Sequence, residues 1–323
     1  MLTLCLVAAL GAVLAAACGG DDDEGATPAA SPSAAASPTV TASAYPAKVT
    51  DLLGRNVEIK AKPAAVVALS PSAVEFVYAA GGTVIGRPSS AKFPAEANSA
   101  KEVGTSYQPN FETILSLKPD LLVGDSVIHA DPAMRKSLES LGITVVFVGA
   151  DSYSEVTAGL KLMGLVFDST KTTDGVVAKI TKARDDAKAR IAKAPRSAVV
   201  LIGDRDQTLY AAKPSGYVGS ILAELGVTNP ASSLPDAGPF PGYASAAAEK
   251  LIQYDPDYIL TITPAPAPAP RLNTVIPQVP PFKGMKAVTA GHVVEIDVEL
   301  FLQAPGPRLE QALTAIANAL AVP

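Results

Sequence analysis

Apolar runs of strand length alternate with helical patterns in the first half of the chain. The runs lie at residues 65–69, 121–123 and 145–149, and a helix is expected to begin near Asp131 between the last two. Strand-helix-strand alternation of this kind is typical of a parallel α/β sheet. We therefore expect an α/β fold whose central sheets are mainly parallel.

The first helix has start and stop signals in the sequence. Ser70 followed by Pro71 fits a cap with proline at the first helical position, whereas Ser72 with Glu75 fits a capping box. The two alternatives place the start of the helix two residues apart. Gly81, followed by a second glycine, predicts its end.

A long helical pattern then interrupts the alternation. Residues 170–193 carry lysine, arginine and aspartate on most faces, and only a narrow stripe is apolar. Such a helix is about 36 Å long, which is more than a connection inside one lobe needs. A largely solvated helix of this length is expected to bridge two bodies. Its apolar stripe consists of Val176, Ile180, Ala183, Ala187 and Ile191.

The α/β alternation resumes after this helix. Apolar runs lie at 198–203 and 293–297, and helical patterns lie at 217–225 and 307–320. The economical interpretation is two α/β lobes joined by one rigid helix. The predicted boundaries are 47–169 for the N-terminal lobe, 170–194 for the interlobe helix and 195–323 for the C-terminal lobe.

A sequence repeat supports two related halves. NFETILSLKPDLLV at 110–123 and AAEKLIQYDPDYIL at 247–260 share a glutamate, an aliphatic pair two and three residues later, and Pro-Asp seven and eight residues later. In both copies a helix opens with the glutamate and a strand follows Pro-Asp. Taken alone, Glu112 and Glu249 fit the first turn of a helix, where a carboxylate complements the helix dipole.

Charge and composition argue against several classes of protein. The net charge is −5 and no lysine and arginine run stands out, so we expect no nucleic-acid partner. There are two histidines, and no histidine and carboxylate cluster has metal-ligand spacing. The motifs G-x-S-x-G, H-E-x-x-H and G-x-x-x-x-G-K-[ST] are absent. We expect that the protein is not an enzyme. The alternative is a secreted α/β hydrolase, for which the sequence has no recognisable nucleophile motif.

The first eighteen residues predict an export signal. Residues 1–17 are apolar and short for a membrane span, so they fit a signal peptide. Small residues before Cys18 and the GGDDDEG after it fit a bacterial lipobox, in which Cys18 is lipidated and becomes the mature N-terminus. No lysine or arginine precedes the apolar run, and the alternative is an ordinary signal peptide with an incidental cysteine. The other cysteine, Cys5, lies inside the signal, so we expect no disulfide.

Two segments have the composition of loops. Residues 18–46 consist largely of aspartate, alanine, serine, threonine and proline, which predicts a disordered tether. A flexible chain of that length has an end-to-end distance of roughly 30 Å and would hold a globular body just off a membrane. The run TPAPAPAP at 263–270 is expected to form an extended surface loop.

Several segments resemble one family: the extracytoplasmic substrate-binding proteins of ABC importers that capture iron chelates, haem and cobalamin. The matching pieces cover nearly the whole mature chain in the family's order. They are DLLGRNVEI (51–59), VVALSPSAVEFVYAAGG (66–82), VGTSYQPNFETILSLKPDLLV (103–123), the long helix, SAAAEKLIQYDPDYIL (245–260), AVTAGHVVEID (287–297) and APGPRLEQAL (304–313).

The resemblance implies two lobes with the ligand held between them and little hinge closure. It also implies that one glutamate at the tip of each lobe docks on arginines of a membrane-embedded permease, and the repeat assigns these roles to Glu112 and Glu249. Two separated carboxylates fix orientation on a basic surface and steer the encounter. The implied partners are the permease and its ATPase, and the implied ligand is a metal chelate.

We expect a ferric siderophore as that chelate, with haem and cobalamin as alternatives, and we expect no cofactor. The protein is expected to be a monomer outside the cytoplasm, held at the membrane only through lipidated Cys18. A lipid-anchored signalling or scaffold protein with the same fold is the remaining alternative.

The candidate ligand contacts lie near the carboxyl ends of predicted strands, where ligands of open α/β sheets bind. Aromatic walls with a few polar donors suit a bulky organic chelate. Hydroxamate-binding members of the family carry an arginine where this chain has Ser106, and cobalamin binders supply tryptophans, which this chain lacks. The candidates are Ser70, Arg87, Ser106, Tyr107, His129 and Tyr153 in the N-terminal lobe, and Arg205, Tyr217, Tyr243 and Phe301 in the C-terminal lobe.

Two interpretations of His129 are open. It follows the run at 121–123 and precedes Asp131, so it is expected to face the cleft, where it could ligate haem iron opposite a tyrosine such as Tyr243. The alternative is a solvated loop histidine. His292 is interpreted as a turn residue without a functional role.

Overall fold

The computed structural model describes residues 44–192, 196–204, 208–235 and 242–321. The predicted signal peptide, the predicted lipidation site Cys18, all but the last residues of the predicted tether, and Arg205 lie outside the described residues. From Ser43 onward the chain forms one compact unit.

The N-terminal lobe is built on a parallel sheet with helices on both faces. Its strands are β1 (Ala47–Thr50), β2 (Asn56–Ile59), β3 (Val66–Ala68), β4 (Gly86–Arg87), β5 (Lys101–Glu102), β6 (Leu121–Asp125) and β7 (Thr144–Val148). Its helices are α1 (Pro71–Ala79), α2 (Phe111–Ser116), α3 (Pro132–Glu139) and α4 (Tyr153–Val166). The sheet has the order β5-β4-β3-β6-β7 with every neighbour parallel, and β1 and β2 form a separate antiparallel hairpin.

The interlobe helix and the C-terminal lobe follow. Helix α5 spans Thr170–Ile191. The strands are β8 (Ala198–Gly203), β9 (Leu209–Ala212), β10 (Tyr243–Ser245), β11 (Tyr258–Ile262) and β12 (Val293–Glu295). The helices are α6 (Tyr217–Glu224), α7 (Ala248–Tyr254), α8 (Leu272–Val275), α9 (Lys286–Thr289) and α10 (Leu309–Ala319). The sheet order is β10-β9-β8-β11-β12.

The two sheets agree on one side of their central strand and differ on the other. Central strands β3 and β8 each pair in parallel with the strand that follows the repeat, β6 or β11, and β7 and β12 come next in parallel. On the other side β4 and β5 are parallel, whereas β9 and β10 form an antiparallel meander with β8. The predicted fold of two similar α/β lobes with mainly parallel sheets is confirmed, and the meander is the difference between the lobes.

Both lobes contribute to one apolar core. Alternate side chains of a strand point to opposite faces of its sheet, so Val66 and Ala68 join this shared core while Val67 and Leu69 face a separate outer core. Strand β8 divides in the same way, with Val200 and Ile202 in the shared core and Val199 and Leu201 in an outer core of the C-terminal lobe. The lobes are therefore joined by packed side chains as well as by α5.

Helix α5 packs along one side only. Its buried residues are Thr173, Ile180, Ala187 and Ile191, and it contacts α4 of the N-terminal lobe and α10 of the C-terminal lobe. Three residues of the predicted stripe are thus buried, and Val176 and Ala183 are partly buried against the same core. A helix of this length spans about 33 Å and contacts elements of both lobes, as its pattern predicts.

The local signals for caps and loops were informative. Ser70, not Ser72, caps α1: its Oγ accepts from the Ala73 N–H at 2.9 Å, and Pro71 takes the first helical position. Asp131 caps α3 by accepting from the N–H groups of Ala133 and Met134. Residues 263–270 form no helix or strand and are largely exposed, as expected for the proline-rich loop.

Candidate ligand-binding site

A large cavity lies at the carboxyl-end edge of the C-terminal sheet. Its volume is about 1160 Å³, enough for a bulky organic ligand. The end of β8, the end of β10, the proline-rich loop after β11 and the helical segment around α8 form its described walls. The lining residues are Ile202, Gly203, Asp204, Thr208, Leu209, Ser245, Ala246, Ala247, Ala248, Thr263, Pro264, Ala265, Pro266, Pro270, Leu272, Val275, Ile276, Val279, Phe282 and Leu302.

The proline-rich wall of the cavity is fixed by polar contacts. Arg271 donates from Nη1 to the carbonyl oxygens of Thr263, at 3.2 Å, and Ala265, at 3.0 Å. The Oγ1 of Thr263 accepts from the Leu272 N–H at 2.9 Å, and the Thr263 N–H donates to Glu295 Oε1 at 2.9 Å. These bonds hold the loop to β12 and α8, so the cavity is a formed feature of the lobe.

The cavity walls are mainly apolar, and their polar groups are few. Asp204 accepts from the Tyr210 hydroxyl at 3.0 Å and from the Thr208 N–H at 2.9 Å, which orients its carboxylate at the rim. A second cavity, of about 460 Å³, lies between α5 and α10 under charged surface side chains, away from the strand ends. The cavity of the C-terminal sheet is therefore the better ligand site.

Two predicted ligand contacts in the N-terminal lobe, Ser70 and Arg87, make hydrogen bonds within the protein. The Oγ of buried Ser70 caps α1 and donates to Asp125 Oδ2 at 3.1 Å. The guanidinium of buried Arg87 donates to the carbonyl oxygens of Pro88, Ala91 and Ala97. Both side chains are enclosed and their polar atoms are engaged within the protein, and the role of Ser70 and Arg87 as ligand contacts stays a prediction.

His129 is buried, and its interpretation as a solvated loop residue is wrong. Its Nδ1 accepts from the Asp125 N–H at 2.8 Å, and its Nε2 faces the Ser106 carbonyl oxygen at 2.9 Å, which requires a proton on Nε2. Burial lowers the pKa of the imidazole, although the Asp125 carboxylate opposes this. Both ring nitrogens are thus engaged within the protein, and the role of His129 as a ligand of haem iron stays a prediction.

The pairing with His129 also places the loop that contains Ser106. The carbonyl of Ser106 is the acceptor and its side chain is buried, whereas the next residue, Tyr107, is 72% exposed. His129 thus ties the loop after β5 to the loop after β6. Of this pair of candidates, only the Tyr107 side chain is accessible to a partner or ligand.

The remaining aromatic candidates lie close to the junction of the lobes or inside it. Tyr217 is buried, its hydroxyl bonds to the backbone of Gly306, and burial raises its pKa. Phe301 is also buried, in a π-helical turn at Glu299–Gln303. Both side chains are buried in this structure, and their contact with ligand stays a prediction.

Tyr153 and Tyr243 are only partly buried and stay candidates. The Tyr153 N–H donates to Ser220 Oγ at 3.2 Å across the lobes, and the Arg184 guanidinium lies 5.4 Å from the centroid of the Tyr153 ring. Burial raises the pKa of the Tyr243 hydroxyl. Among the described candidates, none lines the large cavity, whose mainly apolar walls carry no chemical signal in the sequence.

An ion pair that the sequence analysis missed joins the lobes. Arg308, just before α10, donates from Nε and Nη2 to both carboxylate oxygens of Glu75 on α1, at 2.7 to 3.0 Å. The same guanidinium lies 4.5 Å from the centroid of the Phe93 ring. Burial raises the pKa of Glu75 to about 7, against the opposing effect of Arg308. Both residues lie in segments that carry the family resemblance, which was the available signal.

Glu112 and Glu249 occupy equivalent places in the two lobes. Each lies in the first turn of a short helix, α2 or α7, and each is exposed. Within the described part of the chain, neither carboxylate has a hydrogen-bonding or ion-pair partner. Their accessibility is compatible with the predicted docking role, which stays a prediction.

Two kinds of feature are not found in the described residues. No group of three or more histidine, cysteine, aspartate and glutamate side chains in these residues is arranged to hold a metal ion. No helix in the same part of the chain is long and apolar enough to cross a membrane.

Curated relatives share sequence with this chain. The vitamin B12-binding protein of Salmonella choleraesuis (strain SC-B67) is 36% identical over 96 residues, 30% of this chain and 36% of that protein. The cobalamin-binding protein of Halobacterium salinarum (strain ATCC 29341 / DSM 671 / R1) is 24% identical over 287 residues, 86% of this chain and 75% of that protein. The chain thus matches about a third of the length of the first and three quarters of the second.

Solved structures show the same fold. The petrobactin-binding protein YclQ from Bacillus subtilis superposes with a TM-score of 0.75 at 19% identity, covering 85% of this chain and 99% of that one. The profile described as periplasmic binding protein matches residues 66–300, which include both sheets and α5. The match extends over well more than half of the 323 residues, and the chain belongs to the periplasmic binding protein family.

Proposed function

We propose that this protein is the substrate-binding subunit of an ABC importer and that it captures a ferric siderophore or similar metal chelate outside the cytoplasm. The observation that carries the proposal is the cavity of about 1160 Å³ at the strand ends of a periplasmic binding protein fold. Every described residue that lines this cavity belongs to the C-terminal lobe, and the ligand site expected between the lobes stays a prediction.

The residues favour binding over covalent chemistry. A hydrolase triad needs a histidine with one nitrogen free to accept a proton, and both nitrogens of His129 are engaged. The other histidine, His292, stacks on Tyr258 with ring centroids 4.3 Å apart and contacts the Asp257 carbonyl through Nδ1. Its place at the amino ends of β11 and β12 puts it away from the cavity.

The walls of the cavity support an organic chelate as the ligand. Apolar side chains dominate, and a few polar groups at the rim can orient a ligand. Two of the compared proteins are named for petrobactin and cobalamin. Both ligands fall in the same broad class of large metal complexes. Cobalamin is the second candidate because both curated relatives above are named for it, and haem ranks after it because both nitrogens of His129 are engaged within the protein.

The rest of the importer is proposed from the repeat and the N-terminus. Glu112 and Glu249 would dock on basic residues of the permease, with the ATPase on its far side. Cys18 would carry the lipid that keeps the monomer at the membrane. In this arrangement the protein concentrates a scarce ligand and presents it, without cofactor or turnover.

Ligand binding is tested with the purified full chain. A thermal-shift panel of catecholate, hydroxamate and carboxylate ferric siderophores, haemin and cyanocobalamin is followed by calorimetry on any hit. We expect one ferric siderophore to raise Tm and to bind with submicromolar affinity, about 8 kcal/mol or more. Binding of none of these compounds would remove the proposed ligand class, and binding of cyanocobalamin alone would replace it with the second candidate.

Docking is tested separately by uptake. The double variant E112K/E249K reverses both exposed carboxylates and should abolish uptake of the bound ligand while leaving its affinity unchanged. The matched control E96K reverses an exposed glutamate outside the repeat and should transport normally. Uptake by the double variant at the normal rate would show that the glutamates do not dock.

A further inference from the structure

Two exposed aliphatic side chains occupy the same place in the two lobes. Leu115 on α2 is 47% exposed and Ile252 on α7 is 40% exposed, and each lies three residues after the exposed glutamate of its helix. Large apolar side chains are seldom this exposed in the described part of the chain. Because Leu115 and Ile252 occupy equivalent positions, chance is a poor explanation of their exposure.

The other repeated residues have structural roles. The first aliphatic of each pair, Ile114 or Leu251, is buried in the outer core of its lobe. The carboxylate of Asp120 accepts from the N–H groups of Ala64 and Ala65, and that of Asp257 accepts from the Ser197 N–H. The two aspartates thereby fix the neighbouring central strands.

The turn that ends each helix is repeated as well. Lys118 (φ 50°) and Asp255 (φ 38°) are both left-handed, and each stands six residues after the glutamate and just before a buried proline. Folding therefore explains the buried aliphatic, the turn, the proline and the aspartate. The helix dipole accounts for a glutamate in the first turn, but folding does not explain the exposed second aliphatic, which is left to serve a surface function.

Helix geometry places these two residues together. Side chains three positions apart lie on one face of a helix, so Glu112 stands beside Leu115 and Glu249 beside Ile252. The buried residues Ile114 and Leu251 anchor the opposite side of each helix. Each lobe thus presents an acidic group next to an apolar one, which we call the acidic–apolar pair.

We propose that the two acidic–apolar pairs, Glu112–Leu115 and Glu249–Ile252, dock into two equivalent sites on the permease, each an apolar pocket beside a basic residue. This rests on the proposed importer function and adds the apolar half of the contact. The unpartnered carboxylates call for a cationic partner, and two matching pairs call for a partner with two matching halves. A second copy of this chain would place carboxylates against carboxylates.

The division of labour within a pair follows from its chemistry. The exposed carboxylate acts over distance and governs the rate of encounter and its dependence on salt. The aliphatic side chain contributes when it is removed from water in the complex, and so governs the rate of dissociation. The two halves can therefore be separated by experiment.

The test measures binding of the purified full chain to the importer's permease–ATPase complex in nanodiscs by interferometry at low and high salt. L115S/I252S should weaken binding about a hundredfold, about tenfold per site, mainly through faster dissociation and with the salt dependence kept. E112Q/E249Q should instead slow association and flatten the salt dependence. L115I/I252L should restore wild-type binding, and L165S, which removes another exposed leucine, should not weaken it.

The outcomes separate this inference from the proposed function. Normal binding by L115S/I252S together with loss in E112Q/E249Q overturns the apolar half and leaves the importer role standing. Equal loss in L165S overturns it too, since the effect would not be local. No binding of the wild-type chain to the permease removes the importer role itself. Conversion of a wild-type dimer to a monomer by L115S/I252S, seen by light scattering, would assign the surface to self-association and overturn the inference.

Discussion

Arg308 forms an ion pair with Glu75 across the junction of the lobes, and two nitrogens of its guanidinium donate to the carboxylate. Nη2 lies 2.7 Å from Oε1, and Nε lies 3.0 Å from both carboxylate oxygens. Both side chains are largely buried, and the Phe93 ring lies under the guanidinium. The pair connects α1 of the N-terminal lobe to the segment before α10 of the C-terminal lobe, so its loss acts on the relation between the lobes.

Removing one partner of this pair should destabilise the protein. In R308A the carboxyl of Glu75 stays buried without its hydrogen-bonding partner and takes up a proton, and we expect a loss of about 2 kcal/mol in the free energy of unfolding at neutral pH. R308K keeps the charge but loses the two-point geometry, and should lie between R308A and wild type. Urea denaturation measures the difference. Equal stability of R308A and wild type would show that the pair contributes nothing.

The same pair predicts a dependence of stability on pH. Burial raises the pKa of Glu75 to about 7 from an ordinary 4.5, so the folded state binds a proton more tightly than the unfolded state. The stability from this group is then fully present below the unfolded pKa and is lost as pH rises through about 7. E75Q stays neutral throughout, so wild type should lose Tm relative to E75Q between about pH 5 and about pH 8. A Tm difference that does not change over this range would contradict the shift.

The repeated aspartates should stabilise both lobes through their neighbouring strands. D120A removes the acceptor for Ala64 and Ala65, and D257A removes the acceptor for both N–H and Oγ of Ser197. We expect about 1 kcal/mol for D120A and more for D257A, because the bonds to Asp257 are partly buried whereas those to Asp120 are exposed. The asparagine variants keep one acceptor oxygen and should cost less. Hydrogen exchange at β3 and β8 reports the local effect, and unchanged exchange in both alanine variants would exclude it.

His129 should affect stability and not ligand affinity. H129A leaves the Asp125 N–H and the Ser106 carbonyl without their buried partner, and we expect a loss of about 2 kcal/mol. Below its Tm the variant should bind the ligand of the wild type with the same affinity. Y107A, at an exposed neighbour of Ser106, is the control and should unfold like wild type. A lost haem absorption band with unchanged stability would support the iron-ligand interpretation.

Local signals in the sequence predicted β3, β6, β7, β8, β11 and β12, but not the short strands β1, β2, β4, β5, β9 and β10 or helix α4. Ser70-Pro71 and Asp131-Pro132 carry caps that depend only on the next few residues, and both helices begin there. The stripe on α5 and the repeat around Glu112 and Glu249 are likewise readable, because periodicity and spacing survive without tertiary contacts. This is why the two-lobed α/β architecture could be predicted.

The site depends on contacts that are distant along the chain. The ring of His129 is buried, and its Nε2 contacts the carbonyl oxygen of Ser106, 23 residues away along the chain. Arg308 meets Glu75 at a separation of 233 residues, and no local pattern pairs them. Strand β9 runs antiparallel to β8, and its composition does not indicate that direction. The cavity is lined mainly by apolar residues, which sequence patterns do not distinguish from core residues.

Filling the cavity should abolish ligand binding without unfolding the protein. Ala247 lines the cavity and is exposed, so tryptophan at this position can project into the space at little cost to the core. We expect A247W to weaken binding of the ligand found in the thermal-shift panel at least a hundredfold, about 2.7 kcal/mol, because the ring occupies ligand volume. A290W places the same ring on an exposed residue at the other end of the sheet and should bind normally. Calorimetry on both variants decides the matter, since wild-type affinity in A247W, with Tm unchanged, would move the ligand out of this cavity and towards the half-buried tyrosines at the junction of the lobes.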